Sequence, residues 1–204
     1  MPTEPLDPRF DSLAPAVLAG GRSRRFGRDK LREEIAGRRM IEHPIAALRA
    51  VFGPRVAIVG DCDPAVQSAG DAWIPDEHPG IGPIGGIATA LRRLDRPVLV
   101  IAGDLPAIDA STIRRLGTAL LAAPGVRVAI AVTGEGDLVR RHPCAAVYAP
   151  SALATIEERI RRERFSLLAM IDSLEPEQVT TVPCDAARLA NINEPSDLER
   201  LLEA

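Results

Sequence analysis

The sequence predicts one α/β domain, a mostly parallel sheet covered by helices on both faces. Three observations predict it. Short apolar runs recur along the chain, each closed by glycine or a turn residue. Amphipathic helical patterns separate these runs. The length of 204 residues suits a single domain with a sizeable core.

Residues 1–13 (MPTEPLDPRFDSL), acidic and proline-rich, are expected to form a flexible N-terminal tail, with the domain over 14–204. The tail lacks a basic start followed by an apolar run, so no signal peptide is expected. APAVLAG (14–20) reads as a strand buried on both faces. IEHPIAALRAVF (41–52) has helical periodicity and RVAIVG (55–60) is the second buried strand. AWIP (72–75) is a short strand and IGGIATALRRL (84–94) the next helix. PVLVIAGD (97–104) is the most apolar strand, followed by a helix over ASTIRRLGTALLAA (110–123) with Asp109 or Ser111 as its cap. VRVAIAVTG (126–134) is a strand, with weaker ones at CAAVYAP (144–150) and EQVTTVPC (177–184). Helices are predicted over ALATIEERIRRE (152–163) and PSDLERLLEA (195–204), the latter with proline in its first turn.

Net charge is −3, which argues against a nucleic-acid partner. No apolar run approaches the roughly 20 residues that span a bilayer, so no membrane partner is expected. Cys62, Cys144 and Cys184 form no metal-binding spacing and no disulfide framework. Scattered thiols fit a reducing compartment, and the cytoplasm is the expected location.

Open α/β sheets bind ligands beyond the carboxyl ends of their strands, which selects five stretches. In LAGGRSRRFGRDK (18–30), Gly20 and Gly21 follow a buried strand and allow backbone N–H groups to approach an oxyanion. Arg22, Arg24, Arg25, Arg28 and Lys30 add positive charge suited to phosphate. The Walker pattern fails here, because Gly27 is followed by Arg28 and Asp29, and the GxGxxG fingerprint is missing. Asp104 closes the most apolar strand, where a carboxylate can hold Mg2+ or cap a turn. Asp76 precedes PGIGPIGG (79–86), whose Gly82 opens a helix that admits an anion or a flat ring. Asn191 and Asn193 either cap the last helix, bond a ligand or complete a metal shell. His142, beside Arg140 and Arg141, suits a second anionic substrate or a surface loop.

These stretches together resemble the molybdenum cofactor guanylyltransferases. LAGGRSRRFGRDK is similar to that family's LAGGxSxRMGxDK signature, with Phe26 in place of methionine. GRRMIEHPIAAL, PDEHPGIGPIGGIATAL, VIAGDLPAID, RHPCAAVY and NINEPSDL resemble its later segments in order, covering about 14–204. GDCD (60–63) departs, because the family often places an asparagine there near the nucleotide; Leu105 stands at a variable position. The resemblance implies a Rossmann-like domain of the nucleotide-diphospho-sugar transferase type. It implies transfer of GMP from GTP to the molybdenum–molybdopterin cofactor, with release of pyrophosphate. GTP and molybdopterin, or the molybdenum cofactor, are then the expected small-molecule partners. A molybdoenzyme or a cofactor-insertion protein is the expected protein partner, and Mg2+ the expected cofactor.

Carried over by motif, Leu18, Ala19 and Gly20 contact the nucleotide through the backbone and Lys30 binds its phosphates; Gly21, from the glycine turn itself, joins the nucleotide-binding set. Asp76 and Gly82 help hold the nucleotide. Asp104 takes Mg2+, and Asn193 is the candidate from its own position to complete the metal shell. Arg25, Lys30 and Asp104 form the candidate catalytic set, while Arg141, His142 and Asn191 form the candidate second-substrate set. Two other readings stay open. One is a molybdopterin cytidylyltransferase, or another nucleotidyltransferase acting on a phosphorylated small molecule. The other is a non-catalytic chaperone that hands the cofactor on.

Overall fold

A computed structural model describes residues 8–20, 29–194 and 196–197. Gly21, the four loop arginines Arg22, Arg24, Arg25 and Arg28, and most of the expected last helix lie outside the described residues.

The main sheet has seven strands. These are β1 (Ala14–Leu18), β4 (Ala57–Val59), β5 (Ala72–Ile74), β6 (Val98–Ala102), β7 (Val128–Thr133), β8 (Arg140–Tyr148) and β9 (Val179–Pro183). Their order is β5-β4-β1-β6-β8-β7-β9. All neighbours pair in parallel except β8, which runs antiparallel to both β6 and β7. Strands β1 and β6 are apolar at every position, and β7 at all but its last, Thr133, because helices cover both faces. Two helices, α1 (Glu42–Phe52) and α4 (Ala110–Leu121), close one face through Ile45, Leu48, Ile113 and Leu116. On the other face, α3 (Pro83–Leu94), α5 (Leu153–Arg161) and α6 (Leu167–Ile171) pack Ile84, Ile87, Ile156 and Met170. A short α2 (Pro64–Gln67) follows β4, with Asp63 accepting from the Ala65 amide.

Besides the short helices α2 and α6, which the sequence pattern does not mark, three features differ from the sequence expectation. Part of the expected tail is packed: Pro8–Ser12 form a 3-10 turn that buries Phe10 against Phe52, and Leu13 is also buried. Gly117 of α4 makes room for it, since a Cβ there would lie 2.7 Å from the Phe10 ring. A two-stranded hairpin of β2 (Glu34–Ile35) and β3 (Arg38–Arg39) precedes α1. Its turn residues, Ala36 and Gly37, both have positive φ, as a tight hairpin turn requires. Finally, β8 starts at Arg140, four residues before the apolar run that marked it.

Candidate active site

The carboxyl ends of β1, β4, β5 and β6 share one edge of the sheet. Because β8 is antiparallel, its first residues, Arg140–His142, reach that edge from the opposite direction. Every stretch singled out in the sequence that falls within the described residues therefore converges there.

Lys30 begins a 3-10 turn (Lys30–Arg32) capped by Asp29, which accepts from the Leu31 amide. Leu31 is buried, and its carbonyl accepts from the Ile41 amide at the start of α1. This anchorage sets Lys30 beside Asp104, which follows β6. Gly103 permits the approach: a Cβ there would meet Ile41 at 2.6 Å, Leu31 at 3.0 Å and the Leu18 carbonyl at 3.2 Å.

The Lys30 ammonium sits among three oxygens. It donates to Asp104 Oδ2 at 2.5 Å, to the Ile192 carbonyl at 3.0 Å and to Asn193 Oδ1 at 3.0 Å. The other Asp104 oxygen accepts from Asn191 Nδ2 at 3.1 Å, and the Ile192 amide donates to the Asp104 carbonyl at 3.0 Å. The Lys30 and Asp104 side chains are only 17% and 16% exposed. A cation ringed by a carboxylate, an amide oxygen and a peptide oxygen has the donor set of a hard metal ion. Asp104 and Asn193 were both expected at the metal, and the structure brings both onto Lys30. Asn191, expected on the second-substrate side, donates to Asp104. Among the described residues no three His, Cys, Asp or Glu side chains gather for a metal. One carboxylate with neutral oxygens leaves the remaining positions to water and phosphate, the usual arrangement for Mg2+.

At the end of β1 the Ala19 amide donates to Val59 and the Leu18 carbonyl accepts from Gly103, so these two groups are committed to the sheet. Gly20 is exposed. Gly60, the first residue of GDCD, has φ +135°, and a Cβ on it would lie 2.5 Å from the Ala19 carbonyl oxygen. Glycine is needed here for two backbones to touch. Trp73 of β5 donates its indole N–H to the Gly60 carbonyl at 3.0 Å and braces the same corner.

Asp76 lies two residues beyond β5. Its Oδ1 accepts from the His78 amide at 2.9 Å and from the Thr89 hydroxyl at 3.1 Å. Gly82 caps α3 with φ +86° and no side-chain cap bond. Gly86 lets α3 approach β1, a Cβ there lying 3.1 Å from Leu18.

Arg141 donates to Asp172 Oδ1 at 2.6 Å, just beyond α6. His142 is buried and its Nε2 lies 2.9 Å from the Thr133 hydroxyl. Burial, and then the charge of Arg140, hold the imidazole below its usual range, so it is neutral at pH 7. Burial, reinforced by Asp104, pushes the Cys144 thiol up to about 12. Burial, followed by Asp29, Asp61 and Asp63, pushes Cys62 up to about 11. Neither thiol supplies a thiolate near neutral pH. Among the described residues, what the edge offers is fixed charge and backbone rather than a nucleophile.

The sequence reading missed Thr89 and Thr133. The signal for Thr89 is a hydroxyl on the buried stripe of an otherwise apolar helix face.

The profile of the MobA-like NTP transferase domain matches residues 15–175. A protein of Opitutus terrae named "Probable molybdenum cofactor guanylyltransferase" is 34% identical over 93% of this chain and 94% of its own length. The "Molybdenum cofactor guanylyltransferase" of Rhizobium meliloti is 31% identical over 95% of this chain and 92% of its own. Among solved structures, the molybdopterin-guanine dinucleotide biosynthesis protein A of Archaeoglobus fulgidus superposes with a TM-score of 0.73 at 27% identity, covering 93% of this chain and 96% of that one. The 4-diphosphocytidyl-2C-methyl-D-erythritol synthase of Anaerococcus prevotii reaches a TM-score of 0.73 at 15% identity, which speaks to the fold alone.

Proposed function

This chain belongs to the MobA-like NTP transferase family, and from that membership we infer that it transfers GMP from GTP to the molybdenum–molybdopterin cofactor, forming the guanine dinucleotide cofactor and pyrophosphate. The observation that carries the reading is the Lys30–Asp104 pair at the carboxyl edge of the sheet, held by Asn191, Ile192 and Asn193.

The chemistry is displacement at phosphorus. An oxygen of the pterin's terminal phosphate attacks the α-phosphorus of GTP, and the bond from that phosphorus to the β-phosphate bridging oxygen breaks. Pyrophosphate leaves with the electron pair. The attacking oxygen is already ionised, so no strong base is required, consistent with protonated thiols and a neutral His142. Alignment of two polyanions and neutralisation of their charge supply the rate. Lys30 carries the charge for the phosphates. In the ligand-free arrangement it neutralises Asp104, and a bound polyphosphate draws the ammonium off the carboxylate. Asp104 and Asn193 would then hold Mg2+, and Asn191 keeps Asp104 oriented. Mg2+, when bound, would supply positive charge that offsets the charge of the phosphates. Asp76, an acceptor that repels phosphate, suits the nucleoside end. Arg25 serves the phosphates from the loop. Arg141 and His142, at the start of β8, suit the pterin side.

Extraction of the pterin after incubation with GTP and Mg2+ tests the reading. A product heavier by one GMP is expected; unchanged molybdopterin would contradict it.

A further inference from the structure

We propose that Thr89 is a positioning residue for nucleotide binding, acting through Asp76; this rests on the reading that Asp76 meets the nucleoside. Thr89 lies in the second turn of α3 and is fully buried, one of few buried polar residues among those described. Its hydroxyl donates to Asp76 Oδ1 at 3.1 Å and accepts from the Glu77 amide at 3.0 Å. Both of its roles are spent on the loop between β5 and α3 rather than on its own helix. The His78 amide adds a second donor to the same Asp76 oxygen at 2.9 Å. The carboxylate is thus gripped by one oxygen, and Oδ2 has no hydrogen-bond partner among the described residues. The loop is gripped from below as well, since Gly85 packs under His78 so closely that a Cβ would lie 2.7 Å from its carbonyl.

A carboxylate held this way presents an acceptor at a fixed position. A nucleoside offers matching O–H and N–H donors on its ribose and base edge, whereas its phosphates offer none. Preorganisation of one acceptor improves affinity by sparing the ordering of the side chain on binding. It acts on the nucleoside, so GTP and GDP gain alike. It does not touch the phosphorus, so turnover at saturating GTP is unaffected.

The test compares Thr89→Val, Thr89→Ser and Asp76→Asn with the wild-type protein, by calorimetric binding of GTP and of GDP with Mg2+. Thr89→Val should weaken both nucleotides by roughly tenfold, the loss expected when a hydrogen bond to a charged group disappears. Thr89→Ser should restore affinity, and kcat should stay near wild type in each Thr89 variant. Thr89→Ala replaces the valine variant if that one fails to fold. Wild-type affinity in Thr89→Val beside a weakened Asp76→Asn overturns the role of Thr89. Equal losses in Thr89→Val and Thr89→Ser do the same, by showing that packing rather than the hydroxyl matters. Unchanged affinity in Asp76→Asn removes the nucleoside reading of Asp76, and the proposal with it.

Discussion

Substitution of Asp104 by Asn and of Lys30 by Met, singly and together, separates the structural from the chemical role of the pair. Asp104 accepts on both oxygens, from Lys30 at 2.5 Å and from Asn191 at 3.1 Å. Asparagine keeps the shape but has one oxygen, so its own amide must face either the ammonium or the Asn191 amide. Methionine at position 30 keeps the aliphatic stem and strands the Asp104 charge, the Ile192 carbonyl and Asn193 Oδ1. The side chains are 17% and 16% exposed. They lie between exposed pairs, worth about 0–1 kcal/mol, and buried pairs, whose disruption costs about 3–5 kcal/mol. Each single variant should therefore lose about 2 kcal/mol, a fall in Tm of roughly 4–8 °C for a domain of this size. The double variant strands neither charge and should lose no more than the worse single, giving a coupling of about 1–2 kcal/mol. Turnover should fall by about 100-fold or more in each single variant, because each removes a charge that the proposed reaction uses. Thermal melts and pyrophosphate release provide the readout. Additive destabilisation refutes the coupled pair, and wild-type turnover at saturating Mg2+ in either single variant refutes its role in the chemistry.

Gly60→Ala forces a Cβ to 2.5 Å from the Ala19 carbonyl at φ +135°. It should cost about 3 kcal/mol, measured by denaturant melt, and raise the KM for GTP by displacing the end of β1. Cys62, raised to about 11, should alkylate far more slowly than a free thiol at pH 8, and labelling should climb as pH rises toward that value; labelling at the free-thiol rate, read by mass spectrometry, contradicts this. His142 titrates below its usual value of 6.5 in the folded protein. The unfolded chain therefore binds the extra proton first, and the stability that the neutral imidazole permits is present above about pH 6.5 and lost as pH falls below it. His142→Gln should flatten that acid limb in melts taken from pH 7.5 to 5; an unchanged limb assigns it to other groups.

Strands with four or more consecutive apolar residues, such as VLVIA of β6 and VAIAV of β7, were legible because burial on both faces leaves little room for polar residues. The β2–β3 hairpin was not, since strands of two residues carry no period. Phe10 was taken for tail because its acidic, proline-rich surroundings outweighed one aromatic residue. The antiparallel direction of β8 was invisible for a different reason: strand sense is set by neighbours far along the chain. It is that direction which carries RRH to the ligand edge. At the site, Lys30 was legible as the end of the basic loop and Asp104 as the residue that closes an apolar strand. Their mutual bond, across 74 positions, was not. Nor was the commitment of Asn191 to Asp104, or the grip of Thr89 on Asp76, because each joins elements that only the packed sheet brings together.

The most direct test of guanylyl transfer is a panel of GTP, CTP, ATP and UTP, each with Mg2+ and molybdenum cofactor, followed by release of pyrophosphate. Guanylyl transfer predicts release with GTP, one pyrophosphate for each guanine dinucleotide cofactor formed, and little with the other three. A preference for CTP would place the enzyme on cytidylyl transfer, and no release with any nucleotide would contradict catalysis itself.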